Sequence, residues 1–368
     1  MPRERVLIIA DDCGISDALR MAPAVLAVRR GHPDAEVTLL ADTAALPLIE
    51  RLGACDLLVP SGIYKKREPR RWRLHASKVA ETARVMAKVG TGYDLAVVFG
   101  WGTTLLDVLA RFAARRVVGF PNRWADRLLV SRLPPWDRHG RTLEEQCASL
   151  AIAAGGSPVE GVATPLATPA DREAATALMG AAGLGGSPFV VLHPGSDWAC
   201  QQWPVERWAG LADELIESRG LAVALTGSSG EREYVEQIRS RMRSPATSFA
   251  GKTSLGEVEA LLAHATLCIC VDSAVRDLAR AAGVETLVLA GHPATTGAQR
   301  TADPLSRLVV LSRTPASLQA SIDSCKDGFY RYGQCHDTSC PMSGLRDIAV
   351  ADVLAAVEAR LPALRSTR

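Results

Sequence analysis

Three short segments of this 368-residue sequence share one layout: an apolar run, a small or polar loop, then helical spacing. They are Asp11–Asp17, Thr226–Glu231 and Val271–Ser273. Backbone amides at a helix start point outwards and the helix dipole favours negative charge there, so such loops can cradle phosphate. The chemistry they suggest is the handling of a phosphorylated small molecule. None carries the glycine spacing of a dinucleotide fingerprint or a P-loop, which argues against a nicotinamide-dependent dehydrogenase and against ATP hydrolysis. Two further clusters stand out. Lys65-Lys66-Arg67-Glu68-Pro69-Arg70-Arg71-Trp72-Arg73 holds six basic residues in nine, and reads either as a solvated loop or as a contact for an anionic partner. Cys325, Cys335, His336 and Cys340 place three thiols and an imidazole within sixteen residues. That set could enclose zinc or iron, although the spacing is not a standard zinc pattern; reduced thiols or a disulfide are the alternatives.

Alternating strands and helices must position these loops. Arg5–Ala10, Glu36–Ala41, Asp56–Val59, Asp94–Phe99 and Arg116–Gly119 are short apolar runs rich in branched residues, as expected of strands covered on both faces. Between and after them, Ala18–Arg30, Ala44–Leu52, Leu105–Ala114 and Leu143–Ala154 carry helical spacing. Gly155 to Pro169 contains three Gly, three Pro and little periodicity, which suits a boundary. The rhythm then restarts. Strands are expected at Phe189–Leu192, Ala222–Thr226, Leu267–Val271 and Glu285–Ala290, with helices at Val205–Arg219, Glu231–Met242, Val258–Ala263 and Val275–Ala282. The fold class is therefore α/β, with two doubly wound parallel-sheet domains. A ligand is expected at strand carboxyl ends, in a cleft between the domains.

Composition narrows the class. The chain is 48% hydrophobic, 22% charged and 5% aromatic, ordinary for a globular protein. Forty-two Lys and Arg against forty Asp and Glu leave a net charge of +2, too balanced for nucleic-acid binding by bulk charge. No run of apolar residues is long enough for a membrane span. The opening MPRERVLIIADDC reaches Asp11 and Asp12 too soon for a signal-peptide core, and nine cysteines, six of them scattered between Cys13 and Cys270, suit a reduced cytoplasmic protein.

A set of ordered motifs makes the reading more specific. Gly14-Ile15-Ser16-Asp17 with Pro23, Tyr93-Asp94-Leu95 leading to Val118-Gly119-Phe120, and His193-Pro194-Gly195 followed by Trp203-Pro204-x-x-Arg207-Trp208 come first. Leu225-Thr226-Gly227 with Glu231, Phe249-Ala250-Gly251-Lys252-Thr253-Ser254-Leu255, and Asp272-Ser273 with Leu278-Ala279 continue the series. In order and spacing these resemble the bacterial heptosyltransferases of glycosyltransferase family 9, as a divergent member. The resemblance implies the GT-B architecture: an acceptor-binding Rossmann-like domain over 1–165, a nucleotide-sugar-binding one over 180–345, and a C-terminal helix over 346–368 packing back on the first. It implies an inverting transfer of a heptose, or related sugar, from a nucleotide-diphosphate donor such as ADP-heptose to a glycan acceptor such as the lipopolysaccharide inner core. No cofactor is required, and the protein would work in the cytoplasm or at the cytoplasmic face of the inner membrane, on an anionic glycolipid.

Roles follow from the resemblance, each with a plainer alternative. Asp17 occupies the position of the base that takes the acceptor's proton; alternatively it only caps a helix beginning at Ala18. Gly14, Ser16 and the basic residues Lys65, Lys66, Arg70, Arg71 and Arg73 would face the acceptor. The donor would lie against His193, Gly195, Ser196, Gln201, Thr226, Gly227, Glu231, Asp272, Ser273, Ala274 and Asp277. Among these, Glu231 would accept from the ribose hydroxyls, or simply be a favourable acid in a helix first turn. Ser273 would donate to the diphosphate and Asp272 would reach the transferred sugar, or the pair would serve as an N-cap.

Several positions depart from the family pattern: Ser16 and Ala274 stand where it has Gly, and Gln202 where it has Arg. Gln201 stands where the family commonly has Lys, and Asp272-Ser273-Ala274-Val275-Arg276-Asp277 stands for "DTGPMH", so that His becomes Asp277. Three explanations are open: a different donor, compensation by Arg276 or Arg280, or a catalytically weak relative. Arg276 and Arg280 could neutralise Asp277 or reach phosphate, or form a solvated surface pair. The competing class is accordingly a non-catalytic or protein-modifying nucleotide-sugar-binding relative.

Overall fold

The computed structural model describes residues 2–10, 14–43, 45–61, 76–99, 110–119, 143–159, 166–196, 201–290, 307–311 and 344–360. The basic cluster at Lys65, Lys66, Arg70, Arg71 and Arg73, the set Cys325, Cys335, His336 and Cys340, and the first half of the Leu105–Ala114 helix lie outside the described residues. The chain divides into two compact units, Met1–Thr164 and Pro165–Arg368.

The first unit holds a five-stranded sheet built from β1 (Arg5–Ala10), β2 (Glu36–Ala41), β3 (Leu57–Pro60), β4 (Tyr93–Val98) and β5 (Ala114–Gly119). Its order is β3-β2-β1-β4-β5, and every pair is parallel. The apolar RVLIIA run takes the central place, with Val6 to Ala10 all at most 1% exposed. That is why it reads as an unbroken hydrophobic run. The first and second helices are α1 (Ile15–Gly31) and α2 (Leu46–Glu50), followed by α3 (Ala76–Val89) and α4 (Leu143–Ala153). The last, α4, lies so close to α1 that glycine is required at the contact: a Cβ on Gly31 would stand 2.1 Å from the Gly155 carbonyl oxygen. The glycines after α4 thus seal a helix pair, and the division between units, at Thr164–Pro165, falls within the Gly155–Pro169 segment.

The second unit carries six parallel strands: β6 (Phe189–His193), β7 (Ala222–Leu225), β8 (Thr247–Ser248), β9 (Leu267–Val271), β10 (Thr286–Leu289) and β11 (Leu308–Leu311). Their order is β11-β10-β9-β6-β7-β8. Its helices are α5 (Pro169–Ala181), α6 (Val205–Arg219), α7 (Arg232–Arg239), α8 (Leu255–His264), α9 (Ala274–Ala282) and α10 (Val350–Glu358). The unit begins well before residue 180, because α5 is fastened to α8. The Glu259 carboxylate accepts from the Leu166 amide at 2.7 Å, and the Ser254 hydroxyl donates to Asp171 at 3.2 Å.

Of the C-terminal segment 346–368, residues 361–368 lie outside the described residues, and α10 belongs to the core of the second unit. Val353 and Val357 are fully buried with Trp208, Leu211 and Leu215 of α6. Polar anchors explain the choice. The Trp203 indole N–H donates to the Ile348 carbonyl at 3.0 Å, and Arg207 Nη1 donates to the same oxygen at 2.7 Å and to the Arg346 carbonyl. Arg219 pairs with Glu358. The WP-x-x-RW motif therefore serves to hold residues 346–348.

Candidate active site

Both sheets have a point where the chain reverses its direction of travel across the strands, between β1 and β4 in the first and between β6 and β9 in the second. Loops at the carboxyl ends of such strands diverge and leave a crevice, the usual ligand position in open α/β sheets. The residues singled out in the sequence fall at these points. Asp17 follows β1; His193 ends β6 and pairs in register with Cys270 of β9, two residues before Asp272.

In the first unit α1 starts at Ile15, three residues earlier than its sequence suggests, with Gly14 as the N-cap. Asp17 is thus not a cap preceding Ala18 but a first-turn residue. It nonetheless serves the helix end, since its Oδ2 accepts from the Gly14 amide at 3.3 Å. Gly14 is exposed, while Ser16 and Asp17 are half-buried. The carboxylate also makes itself felt on the neighbouring helix. Burial pushes the Cys147 thiol of α4 well above its ordinary range, and the charges of Glu144 and Asp17 add to the rise.

In the second unit the β6 and β7 loops interlock. His193 is 7% exposed, and its Nδ1 lies 3.0 Å from the hydroxyl of the fully buried Thr226. Burial pulls the imidazole below its ordinary range, and the Glu231 charge opposes that only in part. Neutral imidazole is the form this site holds. Gly227 is enclosed between Val235 and Glu231, with a built Cβ 3.2 Å from one and 3.3 Å from the other. Glu231 closes a 3-10 turn, Ser229–Glu231, ahead of α7, and its Oε2 accepts from the Ser228 amide at 2.6 Å. The same carboxylate lies over Gly195, in the space a side chain there would enter. After Gly195, the Ser196 hydroxyl donates to Gln201 Oε1 at 2.9 Å, so Gln201 is fixed on the β6 loop.

The β9 loop carries the charge. Ser273 is the N-cap of α9, but its hydroxyl makes no cap bond, and the buried oxygen has no hydrogen-bond partner among the described residues. The amides of α9 and this hydroxyl are suited to an anion. Ala274, at the first helical position, is half-buried. Asp277 is 5% exposed and does not stand in solvent with Arg276, as a surface pair would. Arg276 Nη1 reaches Asp272 Oδ1 at 2.5 Å, its Nη2 reaches Asp277 Oδ2 at 3.3 Å, and Arg280 stands 3.8 Å from Asp277 Oδ1. Both Arg276 and Arg280 thus face Asp277, as expected if either neutralises it.

A family model described as glycosyltransferase family 9 (heptosyltransferase) matches residues 131–323 of the 368, more than half of the chain. The chain belongs to glycosyltransferase family 9. This family 9 chain is 35% identical over 116 residues to lipopolysaccharide heptosyltransferase 1 of Pseudomonas aeruginosa, covering 31% of the chain and 32% of that relative. The match thus spans about a third of that relative's length. It is 24% identical over 301 residues to lipopolysaccharide heptosyltransferase 3 of Escherichia coli, covering 75% of the chain and 80% of the relative. Among solved structures, the E. coli ADP-heptose lipopolysaccharide heptosyltransferase II superposes with a TM-score of 0.68 at 18% identity, over 99% of this chain and 100% of that one. The shared fold is GT-B, with two Rossmann-like domains. Low identity marks the chain as a divergent member.

Sequence reading missed two features of this site. The Trp203 and Arg207 anchors face a carbonyl about 140 residues further on, which no local pattern betrays. The bridging of Asp272 by Arg276 was half-visible as an i,i+4 pair. Among the described residues no group of three or more His, Cys, Asp or Glu could hold a metal, and no helix is long and apolar enough to cross a membrane.

Proposed function

We propose that this protein is an inverting glycosyltransferase that moves a heptose, or a related sugar, from a nucleoside-diphosphate donor to a glycan acceptor. ADP-heptose and the lipopolysaccharide inner core are the first candidates. The observation that carries the reading is the gathering of donor-type groups at the β6–β9 reversal point: the buried His193–Thr226 pair, the Glu231 carboxylate over Gly195, and the unpartnered Ser273 hydroxyl at the start of α9. The names of the relatives support the sugar and the acceptor class.

In this mechanism Asp17 takes the proton of the acceptor hydroxyl. The hydroxyl oxygen bonds to the anomeric carbon of the donor sugar on the face opposite the diphosphate. The bond from that carbon to the phosphate oxygen breaks, and the nucleoside diphosphate leaves with the electron pair. Inversion follows from the opposed faces. Ser273 and the α9 amides receive the diphosphate charge, and Glu231 accepts from the ribose hydroxyls. The basic residues Lys65, Lys66, Arg70, Arg71 and Arg73 complement an anionic, phosphorylated acceptor, and with it the charged surface of a membrane. The transfer asks for no metal. Elemental analysis of the purified protein tests whether Cys325, Cys335, His336 and Cys340 nonetheless hold zinc or iron.

Release of nucleoside diphosphate from a panel of nucleotide sugars, with and without inner-core glycan, tests the reading. Acceptor-dependent release supports it. Tight donor binding with no release on any acceptor supports instead a nucleotide-sugar-binding relative without transfer, the alternative that the departures at Gln201 and Asp277 leave open.

A further inference from the structure

We infer that Arg276 is a positioning residue for sugar recognition: it fixes the Asp272 carboxylate from behind and so sets the preference for a sugar-bearing donor over a bare nucleotide. This rests on the reading of Asp272 as the group that meets the transferred sugar. The geometry is a graded one. Arg276 and Asp277 have side chains only 5% and 4% exposed, whereas the Asp272 side chain is 15% exposed. The outer carboxylate is reachable, and the two groups behind it are sealed in protein.

One guanidinium serves both acids. Its Nη1 goes to Asp272 at 2.5 Å and its Nη2 to Asp277 at 3.3 Å, a fork that the single point charge of Lys cannot reproduce. Asp277 in turn is held by Arg280 at 3.8 Å, so the fork has a fixed back anchor. Without Arg276 the Asp272 carboxylate, placed one residue before the N-cap of α9, would be drawn to the exposed amides of that helix end. With it, the carboxylate is held at the mouth of the β9 loop before any ligand arrives. Fixing a recognition group in advance removes an ordering cost from binding. The cost of a carboxylate at position 277 is likewise met, because a buried charge is tolerated only when paired.

The test compares binding of ADP-heptose and of ADP by calorimetry in the full chain, with UDP, GDP and CDP as further probes. R276Q is expected to weaken ADP-heptose binding about tenfold or more while ADP binding stays within about twofold. D272N is expected to do the same, and the R276Q/D272N double variant to be no worse than either single one, because the two residues act as a unit. R276K is expected to recover only part of the loss, and D277N to give an intermediate one. Equal losses for ADP and ADP-heptose, unchanged ADP-heptose binding in R276Q, or additive losses in the double variant each overturn the inference. Melting temperatures check the fold, and should R276Q not fold, R276K and D277N carry the same comparison. If the unaltered protein binds none of the four nucleotides, the donor-site reading itself fails, and this inference with it.

Discussion

The Glu231 carboxylate occupies the space over Gly195 that a side chain would otherwise fill: a Cβ built on Gly195 stands 2.1 Å from Oε1 and 2.2 Å from Cδ. The close approach is made by the far end of a flexible side chain, so a Cβ here displaces the carboxylate rather than the backbone. Gly195→Ala must push the carboxylate off the β6 loop and break its bond to the Ser228 amide. Because the carboxylate can swing aside, the cost to stability is small, about 0.5 kcal/mol. We expect a melting temperature close to that of the unaltered protein and at least tenfold weaker nucleotide binding. Unchanged binding would show that Glu231 does not face the ligand.

Much of this arrangement can be read from residue order, and the rest fails for identifiable reasons. Buried parallel strands such as RVLIIA and LCICV announce themselves as near-continuous apolar runs, because both faces are covered. Helix starts are less legible. Gly14 as N-cap has no side-chain signal, so Asp17, a first-turn acid, looks like the cap itself. The helix Pro169–Ala181 opens on Thr168 with Asp171, a capping box, but the glycines and prolines before it suggest only a linker. At the site, His193, Glu231 and Ser273 are recognisable by motif. Their interlocking is not, because it depends on strands from distant parts of the chain being neighbours in the sheet.

His193 makes stability depend on pH. Its native pKa lies below the ordinary value because burial opposes the charged form. From about pH 6.5 downwards the unfolded chain therefore binds a proton that the native site refuses, and stability falls as pH falls, by up to about 1.4 kcal/mol per pH unit. His193→Asn can keep the hydrogen bond to Thr226 without titrating. Denaturant unfolding between pH 7 and 5 should show a shallower slope for the variant; identical slopes would place His193 outside the titrating set.

The Ile348 carbonyl takes both the Trp203 indole and the Arg207 guanidinium. Loss of one donor, as in Trp203→Phe, should cost about 1 kcal/mol. Adding Arg207→Ala removes both of these donors and should cost a further ~1–3 kcal/mol, with easier proteolysis within 344–360. Equal resistance in all variants would remove the anchoring role assigned to this motif.

Charge at 65–73 should make acceptor binding salt-sensitive. Raising ionic strength from about 0.01 M to 0.15 M shortens the screening length from about 30 Å to about 8 Å. Binding to inner-core glycan should weaken over that range, and less so when Lys65, Lys66, Arg70, Arg71 and Arg73 are replaced by Gln. Equal salt dependence with and without those charges would assign the cluster another role.

The most direct test of the mechanism is Asp17→Asn, an isosteric change that can keep the bond from the Gly14 amide but cannot take a proton. Turnover of ADP-heptose on inner-core glycan should fall about 10²–10⁴-fold, the usual range for a lost general base, with donor affinity unchanged within about twofold. Turnover equal to that of the unaltered protein would contradict the assignment of Asp17 as the base.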